Sequence, residues 1–256
     1  MSGLPLVMLP GLDGTGRLFG PLLPGLAGAF RTQVIPYPPD DPNLGYQEIV
    51  DRVVGALPVA EPFVILGESF SGPVAAMLAA RRPPGLVGIV MVVSFLHRPV
   101  RWHGMARTFS GVLRLHRIGA HRPVGAPRRL GWIDAAFGKA GQRLVEPILL
   151  GSKPDPAARQ VLRQASAEVH PDVLARRAAA TLSIDVRGDF MKIDVPILAI
   201  EAENDLLIRS DAGAEMKALR PEIEVARIAG PHVLLASRPK ACAHALAAWA
   251  SCFITV

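Results

Sequence analysis

The sequence predicts an α/β protein: a mostly parallel sheet of about six strands, helices on both faces, and an all-helical insertion. Three observations carry this. Short apolar runs alternate with segments of helical spacing. One run, Leu86–Phe95, is apolar almost throughout, as expected of a strand buried on both faces. A long block, from His97 to Phe190, shows helical spacing but no convincing strand.

The elements follow in order. Leu4–Leu9 reads as a strand ending in Pro-Gly, and Gln33–Pro36 as a short strand ending in the turn YPPDDPNLG. Tyr46–Leu57 has helical spacing through Ile49, Val50, Val53, Val54 and Leu57. Phe63–Leu66 is a strand, Pro73–Arg82 an alanine-rich helix closed by Pro83-Pro84-Gly85, and Leu86–Phe95 a strand. Four helices are expected in the insertion, at Trp102–Gly119, Pro127–Leu150, Pro156–Val169 and Pro171–Leu182. Alternation then resumes: strand Val195–Glu201, helix Asp211–Leu219, strand Glu222–Ile228 and helix Pro239–Phe253. This divides the chain into a core of residues 1–96 and 191–256 and a helical lid of residues 97–190.

Composition narrows the classes. The chain has 256 residues, half of them hydrophobic, enough for one large core and unlike a disordered chain. Its longest largely apolar run, Leu86–Leu96, falls short of the ~20 residues that span a bilayer. MSGLPLVMLPG has no basic segment before an apolar one, so a cytoplasmic protein is expected. Cys242 and Cys252 are expected to be reduced, buried thiols. Between Leu96 and Leu150, ten Lys/Arg face two acids, Asp134 and Glu146. That segment therefore carries more positive charge than the +6 of the whole chain. The simplest reading is a solvated face. The sharper one is a docking surface for an acidic partner, with Arg107, Arg114, Arg117, Arg128 and Arg129 as its candidates. Nucleic acid is disfavoured, since the few aromatics are not interleaved with the basic residues. GLDGTG lacks the order of a nucleotide loop, and no histidine pair has zinc spacing, so neither a cofactor nor a metal is expected.

Three strand ends hold the chemistry. The strand at Phe63 runs into Gly67-Glu68-Ser69-Phe70-Ser71-Gly72, the strand at Val195 into Ala202-Glu203-Asn204-Asp205, and the strand before Gly230 into Gly230-Pro231-His232. Ligands of open α/β sheets bind at the carboxyl ends of strands. A serine hydroxyl needs an imidazole to take its proton, and the imidazole needs a carboxylate to orient it. Glu201 and Glu203 compete with Asp205 for the last role, and Ser69 could instead cap the helix that follows it.

In motif and order these residues resemble the α/β-hydrolase family, over nearly the whole chain. The resemblance implies Ser69 as nucleophile, Asp205 as acid and His232 as base, with the backbone N–H groups of Leu12 and Phe70 forming the oxyanion hole. It also implies the lid. Two departures stand out: Ser71 replaces the usual second glycine of the elbow, and Pro10-Gly11 replaces the frequent His-Gly of the oxyanion loop. The implied activity is cleavage of an ester or thioester with an apolar acyl group through an acyl-enzyme. An acyl carrier protein or coenzyme A thioester is the conceivable carrier. An acyltransferase using the same triad, or a silent ligand-binding member, is the alternative.

Overall fold

The computed structural model describes residues 3–99, 139–208 and 210–254. The helix expected at Trp102–Gly119, the start of the next one, and the five candidate docking arginines lie outside the described residues.

The expected alternation is present. Strand β1 (Leu4–Leu9) leads through a 3-10 turn (Arg17–Phe19) and helix α1 (Leu23–Leu26) to β2 (Phe30–Val34). Helix α2 (Tyr46–Val54), β3 (Phe63–Glu68), α3 (Ser71–Ala80) and β4 (Leu86–Val92) follow. Next come α4 (Lys139–Leu150), α5 (Pro156–Ala167), α6 (Pro171–Thr181) and the short α7 (Arg187–Phe190). The chain closes with β5 (Ile197–Ala202), α8 (Ala212–Leu219), β6 (Glu224–Ile228), α9 (Leu234–Ser237) and α10 (Pro239–Ile254). The second strand begins earlier than expected, at Phe30, because Phe30 and Thr32 pair with β1 while Tyr37 is already in the following turn.

The six strands lie in the order β2-β1-β3-β4-β5-β6, and every neighbouring pair is parallel. Side chains alternate across such a sheet, so each strand feeds two cores. Val7, Leu9, Ile65, Ile89, Met91 and Ala199 face α2 and α3. Leu6, Met8, Val64, Leu66, Val90, Val92 and Ile200 face the other way, against Leu22, Leu26, Leu246 and Trp249. Both faces are thus covered, which explains why the central strands read as unbroken apolar runs.

The helices differ as their positions require. Helix α2 is amphipathic and buries Tyr46, Ile49, Val50 and Val53. Helix α3 is buried nearly all round, which its small residues permit. Asp155 caps α5, its Oδ1 accepting from Ala157 N and Ala158 N at 2.9 Å. His170 caps α6, its Nδ1 accepting from Asp172 N at 3.2 Å. One expectation is overturned: Cys242 is buried, but Cys252 is exposed on the outer face of α10. The ten-residue offset carries the second thiol round the helix, away from the core face.

Candidate active site

The turn after β3 is built by close approach. A Cβ on Gly67 would collide with the backbone carbonyl of Ser71, and one on Gly72 with the Ser94 hydroxyl. Glycine at both places lets α3 start directly against the sheet. Between them Ser69 takes a positive φ of 48°, a strained conformation for a residue with a side chain. Ser69 N donates to Val92 O at 2.8 Å, and Ser94 Oγ donates to Ser69 O at 2.7 Å, so β4 and its exit hold the strained residue.

Ser69 Oγ lies 2.9 Å from His232 Nε2. On the other side of the ring, His232 Nδ1 lies 2.7 Å from Asp205 Oδ2. Asp205 Oδ1 accepts from the amides of Leu207 and Ile208 at 2.8 and 2.9 Å, which fixes the carboxylate plane. The two loops are tied together, with Asn204 N donating to Gly230 O at 3.0 Å. Residues 163 and 27 positions apart therefore converge on one imidazole. The competing acids are engaged elsewhere: Glu201 accepts from Arg227 Nε and Gly213 N, and Glu203 is exposed.

Burial shapes the electrostatics. It would draw the His232 pKa down, but the Asp205 charge and hydrogen bond, with help from Glu68, outweigh it and hold the imidazole above its ordinary value. Burial likewise pushes the Asp205 carboxyl up, and the His232 charge with three hydrogen bonds more than reverses it. The pair is thus poised to stabilise an imidazolium. Glu68, beside the serine, is different. Burial and then the neighbouring Asp13 charge push its carboxyl up to about 8, against the pull of His232 and the Gly11 amide. Its Oε2 has no hydrogen-bond partner among the described residues.

The loop after β1 carries Leu12. Gly14 N donates to Gly11 O at 3.0 Å, closing a tight turn, and Asp13 Oδ1 accepts from the amide and hydroxyl of Thr15. Ser71, the departure in the elbow, is fully buried and donates from its hydroxyl to Pro10 O. Tyr37 OH lies 2.6 Å from Ser71 Oγ. Serine has one hydroxyl proton, and the carbonyl receives it, so Tyr37 is the donor to Ser71. The two departures from the family pattern are therefore one feature: the serine at 71 ties the elbow to the proline at 10. Phe70, whose amide opens α3, packs its ring on Tyr46 at 4.5 Å between centroids.

The five sequence-derived positions assigned to catalysis, Ser69, Asp205, His232, Leu12 and Phe70, lie at the carboxyl edge of the sheet. Sequence reasoning missed Tyr37, Ser94, Glu68 and Arg177. Tyr37 and Ser94 follow β2 and β4, so their position at strand exits was a usable signal. Arg177 shares the buried face of α6 with Val173, Leu174 and Ala178, and an arginine within an apolar helical stripe was the signal there. Among the described residues, no group of His, Cys, Asp and Glu is arranged to hold a metal ion.

No family model matches the chain. It is 28% identical to the pimeloyl-[acyl-carrier protein] methyl ester esterase of Nitrosospira multiformis, over 93% of this chain and 91% of that protein. Among solved structures it is similar to the bromoperoxidase of Bacillus anthracis, with TM-score 0.75 and 19% identity over 98% of this chain and 92% of that one. A hydrolase from Oleispira antarctica superposes with TM-score 0.76 at 15% identity, covering 98% of this chain and 93% of that one. The enol-lactonase of Burkholderia xenovorans gives 0.73 at 16%, covering 98% and 92%. A parallel sheet in this strand order, a strained serine elbow after its third strand in sequence, and these likenesses over nearly full length show that the chain has the α/β-hydrolase fold.

Proposed function

We propose that the chain is a serine hydrolase that cleaves a carboxylic ester or thioester with an apolar acyl group. The observation that supports it most directly is the contact of Ser69 Oγ with His232 Nε2 at 2.9 Å, with Asp205 Oδ2 at 2.7 Å from the other ring nitrogen. Ser69 Oγ attacks the carbonyl carbon, and its proton passes to His232 Nε2. The carbonyl oxygen becomes an oxyanion, held by the amides of Leu12 and Phe70, each worth about 3 kcal/mol in such a site. The imidazolium then gives its proton to the departing alkoxide or thiolate as that bond breaks, leaving an acyl-serine. Water, deprotonated by the same imidazole, attacks the acyl-serine. The acid is released, and the proton returns to Ser69.

The substrate is an acyl group on a carrier in the finer form of this reading. Its support is the relative named for an acyl-carrier-protein ester and the charge of the segment holding Arg107, Arg114, Arg117, Arg128 and Arg129. A fluorophosphonate probe tests the core of the proposal: it is expected to label the wild type and spare Ser69→Ala, and equal labelling of the two discards Ser69. A panel of p-nitrophenyl acyl esters, with and without an added alcohol, separates hydrolysis from acyl transfer. Charge reversal at Arg114 and Arg117 is expected to slow a carrier-bound ester and spare a small one. Equal effects on both remove the docking surface.

A further inference from the structure

We propose that Arg177 is a positioning residue that braces the oxyanion loop from the insertion, and so sets the aim of the Leu12 amide. Arg177 is 1% exposed although it lies on α6, in the segment expected to form the lid. Its guanidinium makes three hydrogen bonds, all to backbone carbonyls. Nη1 donates to Leu12 O at 3.1 Å and to Asp13 O at 2.9 Å, and Nη2 donates to Pro38 O at 2.8 Å. No carboxylate takes part in these bonds. A buried cation is costly, and a spread of three carbonyls across two loops is what a rigid planar fork can satisfy and a lysine cannot.

The surroundings are cut to this side chain. Gly14 has φ +74°, and a Cβ there would collide with the guanidinium. The Tyr37 ring lies under the Arg177 guanidinium carbon, 5.6 Å from its centroid, and the same Tyr37 bonds Ser71, which bonds Pro10 O. The loop is thus gripped at both ends: Pro10 O by the elbow and Leu12 O and Asp13 O by the insertion. Between those grips lies the peptide that carries the Leu12 N–H. The turn bond from Gly14 N to Gly11 O spans the same peptide, and it leaves that N–H unused. Fixing the Leu12–Asp13 peptide plane by its carbonyl restricts the Leu12 backbone, and with it the direction of the amide. Val169, Val173 and Leu174 of the same segment pack against Leu12, so the side chain is held by the element that holds its backbone.

The catalytic consequence rests on the serine-hydrolase reading, but the brace itself does not. The test therefore has two arms on the full chain. In the first, hydrogen–deuterium exchange is compared between wild type and Arg177→Gln. Exchange over residues 10–16 is expected to rise about ten-fold or more, with β3 unchanged. An unchanged loop in a folded variant overturns the proposal. In the second, kcat on a short p-nitrophenyl ester is expected to fall about 100-fold with KM within about three-fold, the pattern of a lost transition-state interaction. Arg177→Lys is expected to recover part of the loss. A loosened loop with kcat intact, or a loss confined to KM, overturns the positioning role. If Arg177→Gln does not fold, Arg177→Lys takes its place in both arms. A wild type that turns over no ester sinks the hydrolase reading, and the exchange arm still decides the brace.

Discussion

In the proposed mechanism the turn at Ser69 and the turn at Leu12 meet the same demand, a backbone N–H held where an oxyanion would form, by opposite means. The first is local. Gly67, Gly72 and the start of α3 bring the chain round within ten residues, and the neighbouring strand's exit supplies Val92 O and Ser94 to hold it. The second is remote. Its tight turn needs Gly14, at φ +74°, but its grip comes from Ser71 and from Arg177, 165 positions from Leu12. The lesson is that equal precision in two loops need not have equal legibility. A strained turn is encoded where it occurs, whereas a braced turn is encoded wherever the brace happens to be.

That contrast can be broken or sharpened. The largest effect is expected outside both turns and serves as their reference. Asp205→Asn removes the acceptor that sets the His232 tautomer and should lower kcat about 10,000-fold with little change in folding, measured by steady-state kinetics and circular dichroism. A smaller loss would mean another acid orients the ring.

Next is the pH dependence that Glu68 imposes beneath the two turns. Its carboxyl is at about 8 in the folded chain, against 4.5 when unfolded. The unfolded chain therefore releases the proton first, and folding stability falls as pH rises through this window. The slope attributable to Glu68 is at most about 1.4 kcal/mol per pH unit. Glu68→Gln should abolish that component, seen as a smaller difference in denaturant midpoint between pH 5 and pH 8. Parallel pH profiles for the two proteins would show that Glu68 does not titrate in this range.

Smaller again is the local turn's own test. Gly67→Ala drives a methyl into the Ser71 carbonyl, with backbone on both sides unable to yield, and should cost about 3 kcal/mol in urea unfolding. The smallest effect separates the turns. Ser71→Gly restores the commoner elbow residue, so the Ser69 turn should survive, while Pro10 O loses its donor. Stability should fall by about 1 kcal/mol, and kcat should fall more than the stability loss explains. A loss of fluorophosphonate labelling along with stability would mean that the elbow itself had shifted.

Much of the fold was legible because its signals are local and periodic. Strand runs buried on both faces, helical spacing in α2 and the proline closures placed the sheet and most elements to within a few residues. The convergence of Ser69, Asp205 and His232 was legible because each lies within a few residues of a strand end, and parallel strands deliver their exits to one edge. Arg177 was harder to read: its place in an apolar helical stripe was a signal, but it is one arginine in a segment rich in them, and its burial and its partners appear only in the folded chain. Nor was the exposure of Cys252, which depends on which face of α10 meets the sheet.

By itself, then, the sequence determined the α/β architecture and singled out the serine, acid and histidine that meet at one edge of the sheet, because period, glycine geometry and order are written in neighbouring residues. Tertiary structure alone decided that Ser71 ties to Pro10, that Glu68 is buried beside Asp13 and that Arg177 grips Leu12. Those contacts join residues far apart in the chain, and their energies depend on desolvation and close packing that exist only once the layers have met.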